Sequence, residues 1–182
     1  TIIDHQELDD ALAVLVDAEE LTLQVLGKES AVYGKCCQFR GIINYSTGSF
    51  QAAEEWYLRA KTIREKVLGK KHPDYASSLN TLGILYFAMG QIEKVEPLLL
   101  ECKVIQEKSL GKEHPAYIAT LNNLALLYSE LSQYEKSELI FLESKVILEK
   151  VLGKEAPEYA TNLHNLATLY WKMGSFEKSE PL

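Results

Sequence analysis

The stretch Lys112–Gly153 reads KEHPAYIATLNNLALLYSELSQYEKSELIFLESKVILEKVLG, and the rest of the chain repeats it. Leu-Gly-Lys occurs at 26–28, 68–70, 110–112 and 152–154, each 42 residues after the last. His-Pro stands at 72–73 and 114–115, with Ala-Pro in the same place at 156–157. Tyr33, Tyr75, Tyr117 and Tyr159 keep the same spacing. Self-similarity at a fixed period of this length marks stacked units, each of which buries its apolar face only against its neighbours. The units are 28–69, 70–111 and 112–153, with partial units at 1–27 and 154–182, and together they make residues 1–182 a single array. Both ends fall inside a unit. The chain is therefore expected to be a piece of a longer array, because arrays end in polar capping repeats.

Each unit divides into two helices. Pro115 suits the first position of a helix, where the missing N–H costs nothing. Ile118, Leu121, Leu124, Ala125 and Tyr128 then lie on one helical face. Ser132-Gln133 makes a turn where the other units place Gly48, Gly90 and Gly174. A second helix begins near Tyr134, turns Ser137, Ile140, Phe141, Ser144, Ile147, Leu148 and Val151 to one face, and ends at Gly153. The same plan predicts helices at 7–26, 31–47, 50–68, 73–89, 92–110, 115–131, 134–152 and 157–173.

Composition is that of a folded chain, 47% apolar and 25% charged. A net charge of −7 argues against a nucleic-acid partner, which needs a basic stripe, and against anionic lipid. No run reaches the roughly 18 apolar residues of a membrane span, and no signal-peptide pattern occurs. Three cysteines, Cys36 and Cys37 adjacent, form no disulfide framework and fit a reducing, cytoplasmic setting.

Small and large residues alternate as in the tetratricopeptide repeat. Leu82, Gly83 and Tyr86 stand at its first-helix signature places, as do Leu124, Ala125 and Tyr128, and Leu166, Ala167 and Tyr170. Its small second-helix places hold Ala53 and Ala60, Val95 and Cys102, and Ser137 and Ser144. The usual period is about 34 residues; here the second helix and the loop after it are longer. That form, with His72-Pro73-Asp74-Tyr75-Ala76, Leu79-Asn80-Thr81-Leu82 and Ile63-Arg64-Glu65-Lys66-Val67-Leu68-Gly69, resembles the kinesin light chain repeats. The resemblance spans essentially the whole chain. It implies an all-α, right-handed superhelical solenoid of antiparallel helix pairs, with first helices lining a concave groove. It further implies a scaffold or adaptor that binds a peptide segment or a partner protein in that groove. Similar arrays in nephrocystin-like and bacterial proteins imply an alternative, a regulatory sensor that controls an attached caspase-like (CHAT) protease or nucleotide-binding switch.

By the family pattern, groove places fall in columns. One is Lys35, Ser77, Ala119 and Thr161. The next is Gln38, Asn80, Asn122 and His164, followed by Ile42, Ile84, Leu126 and Thr168. The last are Tyr45, Phe87, Ser129 and Trp171, and Ser46, Ala88, Glu130 and Lys172. The second column carries side chains that both donate and accept hydrogen bonds, suited to an extended peptide backbone of either polarity. Asn123 and Asn165 extend that strip, and asparagines of related repeats hold bound peptide here. Such an asparagine has an alternative role, bonding a backbone carbonyl of the next unit. Tyr45, Phe87 and Trp171 offer anchor pockets, although Trp171 is also placed to stack on a following unit. Expected partner contacts are Lys35, Gln38, Asn80, Asn122, Asn123, His164, Asn165, Phe87, Trp171 and Lys172. Kinesin light chains favour acidic, tryptophan-bearing peptides through basic groove residues; here only Lys35 and Lys172 face Glu130 in these columns.

Other residues read as structural. The Tyr75, Tyr117 and Tyr159 set packs units together, and Trp56 belongs to the core or the convex surface. His72 and His114 are end-of-loop contacts. Arg40 takes the place of Leu82, Leu124 and Leu166, where a charge must reach water or a carboxylate; the alternatives are a distorted first unit or an arginine snorkelling into the groove. No nucleophile constellation, zinc spacing or phosphate loop occurs. The expectation is therefore no enzyme, no cofactor, no metal and no small-molecule substrate.

Overall fold

The structure, a computed structural model, describes residues 5–179. Its elements are α1 (His5–Val25), α2 (Ala31–Ser46), α3 (Phe50–Leu68), α4 (Pro73–Ala88), α5 (Ile92–Ser109), α6 (Pro115–Glu130), α7 (Tyr134–Val151), α8 (Pro157–Lys172) and α9 (Phe176–Ser179). Among the described residues there is no strand, and the eight expected helices stand within two residues of their predicted ends.

Local chemistry sets those ends. Pro73, Pro115 and Pro157 open α4, α6 and α8. The histidine before two of them caps the helix: His72 Nδ1 accepts from the Asp74 N–H at 3.0 Å, and His114 Nδ1 from the Ala116 N–H at 3.1 Å. Ser30 does the same for α2, its hydroxyl accepting from the Tyr33 N–H at 3.2 Å. At the turn inside each pair the backbone passes through a left-handed conformation. Gly90 holds it at φ 71°, and Ser132, in the corresponding place, at φ 57°. Only serine has a Cβ to crowd there.

Packing divides the chain into two compact units, Thr1–Gln91 and Ile92–Leu182. In the first, α1, α2, α3 and α4 pack each on the next. Leu15, Tyr33, Cys36, Cys37 and Ala60 make its core, with Trp56 and Ile63 against them. Tyr57 approaches Gly41 so closely that a Cβ there would lie 2.3 Å from the ring. In the second unit α5 packs on α6, α6 on α7, α7 on α8 and α8 on α9. Phe141 lies there among Ala125, Leu166, Leu169 and Tyr170. The small places Ala53, Ala60, Val95, Cys102, Ser137 and Ser144 are all buried, as are Tyr33, Tyr75, Tyr117 and Tyr159.

A polar staple recurs with the period. Tyr86 donates to Glu54 at 2.8 Å, Tyr128 to Glu96 at 2.7 Å and Tyr170 to Glu138 at 2.8 Å. Each ties a first helix to the second helix before it. Arg40 reaches a carboxylate and not the groove: its Nε donates to Glu19 on α1 at 2.5 Å. Its guanidinium lies 5.1 Å from the centre of the Trp56 ring, which Arg59 also covers. The helix pair α2–α3 keeps the plan of the others, so the charge is accommodated without distorting the unit.

Candidate peptide-binding face

The first helices α2 and α4 of one unit, and α6 and α8 of the other, carry every expected partner contact. On α2 and α4, Lys35, Phe39, Ile42, Ile84 and Phe87 are exposed, while Gln38 and Asn80 are half-buried. On α6 and α8, Leu126, His164, Thr168, Trp171 and Lys172 are exposed, and Asn122, Asn123 and Asn165 half-buried. Trp171 is 66% exposed and Phe87 37%, so both present ring surface to solvent. Places 42 residues apart do meet across neighbouring first helices. Lys172 donates to Glu130 at 2.5 Å. Two places short of that period, Asn162 Nδ2 donates to Asn122 Oδ1 at 3.3 Å.

The amide column is anchored from behind. Gln38 Oε1 accepts from Arg64 at 2.5 Å, and Gln38 Nε2 donates to Ser77 at a long 3.4 Å. Asn122 Oδ1 also accepts from Ser144 at 3.3 Å. Asn80 and Asn123 have interactions of their own within the protein. Gln38 and Asn122 thus sit at the edge of the first-helix face, with their carbonyl oxygens turned toward the seam between helices.

Sequence reasoning missed what lies in that seam. Arg64 on α3 is 3% exposed and donates to Gln38, to Ser78 at 2.8 Å and to the Asp74 carbonyl at 3.1 Å. Burial pulls its pKa below the usual arginine value, and nearby Asp74 opposes that. One period on, Gln106 on α5 is equally buried and accepts from Thr120 at 2.8 Å. Two periods on, Leu148 and Asn162 occupy the same places. The signal was present in the period: Ser78, Thr120 and Asn162 form one more polar column, on a face that apolar spacing assigns to the core.

Two cavities open beside these helices. One, about 720 Å³, runs along α1 and α2 past Val14, Leu15, Val32, Lys35, Phe39 and Ile42. The other, about 270 Å³, lies between α6, the end of α7 and the start of α8. Neither offers reactive chemistry. The three cysteines are buried, and burial pushes the Cys37 thiol up to about 11, away from a nucleophile's range. Among the described residues no group of His, Cys, Asp and Glu is placed to hold a metal ion, and no helix is long and apolar enough to cross a membrane.

Comparison with known proteins agrees with this architecture. Two family models, each described as tetratricopeptide repeat, match residues 36–103 and 118–158. No curated protein sequence matches. Among solved structures, kinesin light chain nearly identical TPR-like repeats from Podosopora anserina superpose with a TM-score of 0.78 at 24% identity, over 97% of this chain and 83% of that one. BtubC (BKLC) from P. vanneervenii superposes with a TM-score of 0.84 at 18% identity, over 96% of this chain and 70% of that one. At such identities the likeness is one of fold.

Proposed function

We propose, from the premise that the chain belongs to the tetratricopeptide repeat family, that it is an interaction scaffold whose first-helix face takes a peptide segment of a partner protein. The fold is one for protein interaction and not for catalysis. The observation that carries the proposal is the composition of that face. Among its exposed positions are large apolar or aromatic side chains, Phe39, Ile42, Ile84 and Phe87 in one unit and Leu126 and Trp171 in the other, alongside the polar Lys35, His164, Thr168 and Lys172. Half-buried amides border them. Apolar anchors beside hydrogen-bonding side chains are the two elements of peptide recognition, side-chain pockets and backbone contacts. The donors Arg64, Ser144 and Asn162 fix the Gln38 and Asn122 amides and lower the entropy lost on binding.

A randomised displayed-peptide library panned on the chain tests this. Enriched peptides are expected to lose at least about tenfold in affinity when Phe87, His164 and Trp171 are together changed to alanine, because exposed aromatic anchors carry much of such binding energy. Enriched peptides that bind the triple variant as well as the parent would place the site elsewhere.

A further inference from the structure

The place held by Arg64 is instructive two periods further on. Residues with acceptor oxygens return at the places of its three partners: Asn122 for Gln38, its Oδ1 held by long 3.3 Å bonds from Ser144 and Asn162, Asn162 for Ser78, and Glu158 for Asp74. The cation does not return, because Leu148 stands where Arg64 would be. Asn162 is 0% exposed, and its Oδ1 has no hydrogen-bond partner. A buried carbonyl left in this state costs free energy that a donor would recover. Asn162 is hydrogen-bonded to Asn122, and Asn122 lines the cavity of about 270 Å³ together with Ile118, Ala119, Leu148, Glu158 and Thr161. Ala119 replaces Lys35 of the earlier layer, so the mouth carries neither a long side chain nor a competing positive charge.

We propose that this cavity receives the side chain of an arginine presented by the partner segment. It deepens the groove reading and rests on it for the segment that carries the arginine. The chain supplies the template itself, since Arg64 shows how a guanidinium bridges two first helices of this register. An apolar stem suits Ile118 and Leu148, and a planar fork spans the Asn122 amide on α6 and the Glu158 carboxylate on α8, which both line the cavity and which a compact ammonium does not reach together. Glu158 adds a carboxylate at the rim. The volume is just below the roughly 300 Å³ at which small-molecule pockets begin, the scale of one side chain. The net charge of −7 favours the approach of a basic segment.

The probe is N-acetyl-arginine amide, titrated into the isotope-labelled chain and followed by NMR, with the lysine and leucine amides as comparators. Saturable shifts are expected at the Ala119 and Thr161 backbone amides and at the Asn162 side-chain amide. The arginine derivative is expected to bind at least about tenfold more tightly than the leucine one, as a charge-assisted contact requires. Leu148→Arg refills the place from within and should abolish the response. Ala119→Lys, at an exposed position, should block the mouth and abolish it whether or not Leu148→Arg folds. Equal shifts from the leucine derivative, or an undiminished response in Ala119→Lys, would overturn the proposal. Library peptides that bind the groove without enriching arginine would sink this inference and leave the groove reading standing. Arginine amide bound by a chain that retains no peptide would do the reverse.

Discussion

Arg64 is the residue whose replacement tests the polar seam most directly. Its guanidinium donates to Gln38, Ser78 and the Asp74 carbonyl from a site 3% exposed. Removing a buried charge returns its desolvation cost, so the lost charge-assisted bonds and the recovered hydration largely offset. Two terms remain in Arg64→Ala. The Cγ and Cδ methylenes leave the core at about 0.8 kcal/mol each. Gln38 and Ser78 lose a donor, for about 1 kcal/mol more. The sum is about 3 kcal/mol. Arg64→Leu recreates the layer found at Leu148, keeps most of the apolar volume, and should cost only about 1 kcal/mol. Urea unfolding followed by circular dichroism measures both. Unfolding in such arrays spreads between neighbours, so amide exchange in α2 and α4 should localise the loss. An Arg64→Ala cost under 1 kcal/mol would mean that the guanidinium bonds do not hold the seam. An Arg64→Leu variant as unstable as Arg64→Ala would show that the charge, and not the volume, is what the layer requires.

Two other predictions address the turns and the tyrosines. Ser132→Gly should stabilise the chain by about 1 kcal/mol, because it removes a Cβ from a left-handed residue at φ 57°; a loss of thermal stability would show that the serine side chain has a role of its own. Burial, reinforced by the Glu54, Glu96 and Glu138 carboxylates, pushes Tyr86, Tyr128 and Tyr170 up to about 12 from 10.0. A raised folded pKa stabilises fully below the unfolded value and is lost above it. Stability should therefore hold up to pH 10 and fall toward 12, with tyrosinate absorbance rising together with loss of helicity; independent titration of the tyrosines with helicity intact would refute the burial argument.

How much of this was legible depends on which residues obey the period. Helix starts and ends were legible because Pro115, Gly153 and their repeats act locally, through a missing N–H and a missing Cβ. The small places at Ser137 and Ser144 were legible because close helix approach leaves room for little else. The seam was not. Arginine is a surface residue by every compositional prior, and nothing near residue 64 in the chain shows that Gln38, Ser78 and Asp74 converge on it. For the same reason Gln38 and Asn122 were expected in the groove; spacing places them on the right face, but only the neighbouring helix reveals that their carbonyls turn to the seam. The Tyr86, Tyr128 and Tyr170 staples were open to discovery, since each glutamate precedes its tyrosine by a constant interval, yet a constant interval alone does not separate a bond from a shared surface. The buried place on the second helix carries Thr22, Arg64, Gln106 and Leu148 in turn. The period fixes the backbone of every unit, and these departures from it distinguish the layers: where the chain brings its own guanidinium the seam is bridged, and where it brings leucine the Asn162 carbonyl is left without a donor.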